Sequence, residues 1–152
     1  MSVAKRAYVG AMNRLRKRMK RPISIVCDIM SPGFTDDDFV NKFKECFAGL
    51  WQEIIDNKDE HDEMDRGRIR KHFKPIYHFP LPSKFLLEVA RCGIARTRKR
   101  HVLGEVKAAD EREAIFGKYR KSRWSAFPNV KNTQKRCATL CKQLNRSSQT
   151  IL

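Results

Sequence analysis

T-D-D-D-F-V-N-K-F-K-E-C-F-A-G-L-W-Q-E-I-I, from Thr35 to Ile55, decides the fold class. Its apolar residues Phe39, Val40, Phe43, Cys46, Phe47, Leu50, Trp51, Ile54 and Ile55 return every three or four positions, as one broad face of an α-helix does. Thr35 stands where an N-cap is needed. Asp36, Asp37 and Asp38 follow in the first turn, where carboxylates interact well with exposed amides and the positive end of the helix dipole. They read as capping residues rather than metal ligands, because consecutive side chains at a helix start diverge. The spacing predicts one helix over 35–55 that supplies the hydrophobic centre.

On the N-terminal side, Ser31-Pro32-Gly33 is a turn, and Ile23 to Met30 is a short apolar run that fits a strand or a buried helical turn equally well. Residues 3–20 form an amphipathic helix with Val3, Ala7, Tyr8, Ala11, Met12, Leu15 and Met19 on its apolar stripe. Pro22 is expected to end it, since the proline ring blocks continuation. On the C-terminal side, Asp56 to Asp65 reads as a charged stretch outside a folded element. Residues 72–82, H-F-K-P-I-Y-H-F-P-L-P, are expected to be extended, pinned by Phe73, Tyr77 and Phe79. Ser83 then caps a helix to about Arg100 that buries Phe85, Leu86, Val89, Ala90 and Ile94. Two further helices are expected, over 105–121 and 132–145. The chain divides into a basic helix (1–22), a helical core (23–103), a three-helix unit (104–146) and a tail (147–152). The fold class is mostly α.

The charge is sorted along the chain. Residues 1–27 carry eight Lys/Arg and no acid; residues 28–65 carry three against twelve acids; residues 66–152 carry twenty-two against five. The net is +16. Clustered cations point to a polyanion, because they neutralise phosphates and release condensed counterions. Arg14, Arg16, Lys17, Arg18, Lys20 and Arg21 put six cations into eight residues with no acid nearby in sequence. A solvated helix face is the competing explanation, but such a helix repels itself unless an anion or the acidic segment answers it. Arg96, Arg98, Lys99 and Arg100 form a second cluster at a helix end, where cations also complement the dipole. The acidic block could cover a basic surface of the same chain or dock a second protein.

With 152 residues and 9% aromatics the chain has the means for a core. No apolar stretch of ~18 residues reads as a membrane span. The five cysteines are odd in number and lack framework spacing, so they read as reduced thiols in an intracellular setting. The Arg-rich, acid-free start also has the composition of a mitochondrial transit peptide. Cys137 and Cys141 could share a helix face, but zinc-module spacing is missing, and no metal or other cofactor is expected. Phosphate-cradling glycine loops, nucleophile elbows and H-E-x-x-H are absent from the sequence, so a non-catalytic chain is expected.

Lys118-Tyr119, Arg123-Trp124-Ser125, Thr133, Cys137 and Cys141 fall where the later two-thirds of a Myb/SANT repeat carries corresponding residues, and residues 104–146 resemble that family. The resemblance implies a three-helix unit around Trp124 whose last helix, through Lys135, Arg136, Thr139 and Lys142, lies on or in a nucleic-acid groove. Gly104 and Cys141 stand where the family has tryptophans. The interval from Trp124 to Thr133 is about two residues short. Ala138-Thr139 replace a Lys-Asn pair able to bond base edges in the major groove, so phosphate contact without sequence reading is implied. Phe34 to Ile54 also resembles segments of the largest subunit of transcription factor IIIC. The expected function is therefore nucleic-acid binding, DNA or RNA, within a larger transcription or chromatin assembly, in the nucleus and alongside other protein subunits. The alternatives are a structural RNA-binding component of a ribosomal or other ribonucleoprotein particle, including a mitochondrial one, and a protein-interaction subunit.

Overall fold

A computed structural model of the chain describes residues 3–121. Within them the backbone forms five helices: α1 (Val3–Ile29), α2 (Asp36–Cys46), α3 (Ala48–Arg70), α4 (Pro82–Val102) and α5 (Ala109–Lys121). No described residue lies in a strand. The mostly α expectation holds. Residues 122–152, and with them the second and third helices of the Myb/SANT-like unit, lie outside the described residues.

Pro22 does not end the first helix; α1 runs through it to Ile29. Proline inside a helix costs ~3 kcal/mol, through a lost amide bond and a ring clash. Beyond Pro22 the helix buries Ile23, Val26, Cys27 and Ile29, and a buried aliphatic side chain is worth ~1.5–3 kcal/mol. Burial wins. The apolar row Met12, Leu15, Met19, Ile23 and Val26 keeps its spacing of three and four across the proline, and it packs on Phe39, Val40 and Phe43 of α2 and on Phe85, Leu86, Ala90 and Ile94 of α4.

The expected 35–55 helix is two helices. Phe47 leaves helical geometry (φ −130°, ψ 50°), while its amide still bonds Phe43 and its carbonyl still accepts from Trp51. A kink that preserves hydrogen bonds on both sides leaves hydrophobic periodicity intact, so the sequence pattern does not register it. The cap is as expected: the Thr35 hydroxyl accepts from the Asp38 amide and the Asp38 carboxylate accepts from the Thr35 amide. Asp56 to Asp65 is also helical, as the continuation of α3. Pairs spaced for one helix face compensate its charge: Lys58 with Asp62 at 2.6 Å, and Glu63 with Arg66 at 2.9 Å and Arg70 at 2.6 Å.

Residues 73–81 carry no regular structure, and the buried Asp65 carboxylate holds them. It accepts from the amides of Ile76 (2.8 Å), Tyr77 (3.2 Å) and His78 (3.0 Å). Burial works to raise this carboxyl, but the amides of His78, Ile76 and Tyr77 outweigh it, and the shift is downward. His61, also buried, lies against Tyr8, Tyr77 and Phe79. Phe79 is buried and Tyr77 half-buried, but Phe73 is 60% exposed and does not pin the segment; the Arg68 guanidinium covers its ring instead. α4 starts two residues earlier than expected, with Leu81 as N-cap and Pro82 in the first turn, where its missing amide costs nothing. Ser83 is not the cap.

Replacing Asp65 with Ala strands three amides, and we expect a loss of ~2–3 kcal/mol in urea unfolding. Because the folded carboxyl titrates below its unfolded value, its contribution is complete above pH ~4 and disappears as pH falls through the folded value. The stability gap between wild type and Asp65→Asn should therefore shrink on acidification below pH 4.

Candidate nucleic-acid interface

α1 and α4 run in the same direction and are joined by two ion pairs whose partners are each 72 residues apart. Arg16 pairs with Glu88 at 3.1 Å and Arg100 reaches Asp28 at 3.5 Å. Between these ends Gly93 sits against Ile23 and Cys27, where an added Cβ would lie 3.5 Å from Ile23 Cγ2 and 3.4 Å from Cys27 Sγ. These are ordinary van der Waals distances, so they mark close packing of the two helices at this point without making glycine a requirement. Two i+4 rows thus face each other: Arg16, Lys20, Ser24 and Asp28 on α1, and Glu88, Cys92, Arg96 and Arg100 on α4. The rows span about 18 Å.

The charges along this seam are unequal. Its ends are ion pairs, while the middle positions of the two rows hold Lys20, Ser24, Cys92 and Arg96, with two cations and no acid. Lys20 and Arg96 are exposed, and so are Arg14, Lys17 and Arg21 on the solvent side of α1 and Lys99 on α4. None of these six has an ion-pair partner among the described residues. The structure therefore brings the two basic clusters, 75 positions apart from Arg21 to Arg96, onto one surface.

The other expected phosphate contacts are already answered within the fold. Arg18 pairs with Glu53 at 2.5 Å, and Arg98 pairs with Asp36 at 2.6 Å, bonds the Phe34 carbonyl and lies over the Phe34 ring. Arg16 and Arg100 are half-buried in the seam pairs. Exposed pairs of this kind are worth ~0–1 kcal/mol, so a phosphate could displace the acid at small cost. Sequence spacing could not have found the acids, because Asp28, Asp36 and Glu88 are 62–72 residues from their partners. Lys135, Arg136, Thr139 and Lys142 lie outside the described residues. Lys118 and Tyr119 are on α5, with Tyr119 against Phe47 at 5.6 Å between centroids.

Cys92 is exposed in the middle of the seam, whereas Cys27 and Cys46 are buried. Burial pushes the Cys27 thiol up and the Cys46 thiol up to about 11. Among the described residues no group of three or more His, Cys, Asp or Glu is placed to hold a metal ion, and no helix is long and apolar enough to cross a membrane.

No protein-family model and no solved structure matches the chain. Over 82 residues, 54% of its length, it is 27% identical to a Cytobacillus dafuensis protein named "Putative cyclic ADP-D-ribose synthase TIR2". The match covers 21% of that protein. That name is an enzyme's, and the expectation of a non-catalytic chain is corrected accordingly. Motif spacing is sensitive only to catalytic groups close together in sequence, and a site assembled from distant residues leaves no such trace.

Thiol labelling tests the seam. In iodoacetamide treatment followed by peptide mass spectrometry, Cys92 should react at the rate of an ordinary exposed thiol, and Cys27 and Cys46 roughly 100-fold more slowly.

Proposed function

We propose that the chain binds nucleic acid by its phosphate backbone, on the face made by α1 and α4. The observation that carries this reading is the seam's uncompensated middle. Lys20 on α1 and Arg96 on α4 are both exposed and without an acid partner among the described residues, as are Arg14, Lys17, Arg21 and Lys99. Phosphates repeat along a strand, and a surface carrying several exposed, unpaired cations meets more than one of them at once. Lysine and arginine at these positions neutralise phosphate without reading bases, so the binding is electrostatic and tolerant of sequence. DNA and structured RNA are both substrates of this chemistry, and comparison of the two distinguishes a transcription-type from a ribonucleoprotein-type role.

Six phosphate contacts predict a loss of about 10³-fold in affinity between 50 and 200 mM salt. The double variant Lys20→Gln/Arg96→Gln should weaken binding and lower the slope of log K against log salt by about two. Arg98→Gln, which removes a cation already paired with Asp36, should change the slope by less than one. Fluorescence anisotropy with a labelled duplex and a labelled hairpin RNA reads all three; a salt-independent affinity sinks the proposal.

The relative's name supports a second reading, in which this chain contributes to formation of cyclic ADP-D-ribose. Incubation with NAD should then yield that product, identified by mass, above a heat-denatured control. A product level equal to the control rejects the activity for this chain.

A further inference from the structure

A concave site lies on another part of the molecule, between the end of α1, α2 and α5. It is a 260 Å³ cavity lined in part by Met30, Ser31, Lys42, Arg112, Glu113 and Phe116. Its volume falls just under the ~300–1,000 Å³ usual for small-molecule sites, so it suits a small ligand. Lys42 and Arg112 against Glu113 leave the wall with a net charge of +1, which selects an anion.

Two features make this more than a dent in the surface. Arg112 spends one guanidinium nitrogen on the Met30 carbonyl at 3.3 Å, while its Nε is buried with no hydrogen-bond partner. A buried N–H without an acceptor costs ~1–3 kcal/mol, and arginine cannot relieve this by losing its proton. The second feature is the Lys42 ammonium, which lies 4.0 Å from the centroid of the Phe116 ring and only loosely, at 3.4 Å, from Glu45. Rotation of the flexible lysine stem would turn the ammonium toward an anion and leave the ring face to a flat group.

We infer that this cavity binds a nucleoside monophosphate. Its phosphate is met by Lys42 and Arg112, its base stacks on Phe116, and its ribose hydroxyls are within the bonding capacity of Glu113 and Ser31. Charge attraction accounts for the phosphate, ring stacking for the base, and the carboxylate for a hydroxylated rather than a plain aromatic phosphate. The site shares no residue with the α1/α4 face and goes beyond that reading.

Isothermal titration of the whole chain with adenosine 5′-monophosphate, adenosine and inorganic phosphate tests it. The monophosphate should bind at least tenfold more tightly than either fragment. Lys42→Met, half-exposed and able to keep the apolar stem in place, should weaken it at least tenfold with an unchanged circular dichroism spectrum. Lys20→Gln/Arg96→Gln should leave it unchanged, which separates this site from the nucleic-acid face. Equal binding of inorganic phosphate, an unaltered affinity in Lys42→Met, loss in the Lys20/Arg96 variant, or no binding at millimolar monophosphate overturns the inference.

Discussion

The fixed register between α1 and α4 is the constraint on which the other features rest. Arg16 meets Glu88 and Asp28 meets Arg100 at the same separation in sequence, and Gly93 packs against Ile23 and Cys27 between them. The ion pairs are too exposed to supply much stability. Their effect is positional, because a slip of one residue would set Arg16 beside Leu87 or Val89 and leave Glu88 unanswered. The affinity of the two helices comes instead from Leu15, Met19, Ile23 and Val26 against Phe85, Leu86, Ala90 and Ile94. Apolar burial closes the interface and charge selects its register. Lys20 and Arg96 face solvent together as a consequence.

Asp65 makes that arrangement reachable for the chain. α3 must hand over to α4 through residues 73–81, which contain Pro75 and Pro80 and cannot form a regular helix there. A carboxylate that accepts from three successive amides substitutes for the missing backbone bonds. It draws the segment over His61 and Tyr8, and Phe79 is delivered onto Phe85 at 5.2 Å between centroids. The start of α4, and therefore its register with α1, follows from this anchor.

Much of this was legible locally. The Thr35 cap, the break between α3 and α4 and four of the five expected buried residues of α4 follow from turn chemistry and periodicity, and all concern neighbours in sequence. The 72–82 stretch itself is not extended throughout, since His72 and His78 have positive φ and Pro82 already belongs to α4. Pro22 and Asp56 to Asp65 were misread for a common reason. A local helix penalty was weighed without the tertiary burial, or the ion pairs along a helix face, that offset it. Phe47 was missed because a kink need not disturb a hydrophobic stripe. The basic residues were visible as clusters, but which of them remain free depends on acids 35 to 72 positions away.

Net charge is thus a poor guide to where an anion goes. The basic clusters of α1 and α4 are divided by the fold into cations held by Glu53, Asp36, Glu88 and Asp28, and cations left to solvent on one ridge. Counterions condensed near such a ridge are released when a regular polyanion replaces them, and an isolated phosphate releases far fewer. The cavity beside α5 works in the opposite way. It offers two cations, one ring and one acid in a concave space, so it gains little from a repeating charge and more from a ligand whose parts differ. One excess of positive charge is therefore divided between two unlike surroundings, an open ridge of exposed cations and a concave corner where two cations stand beside a ring and an acid.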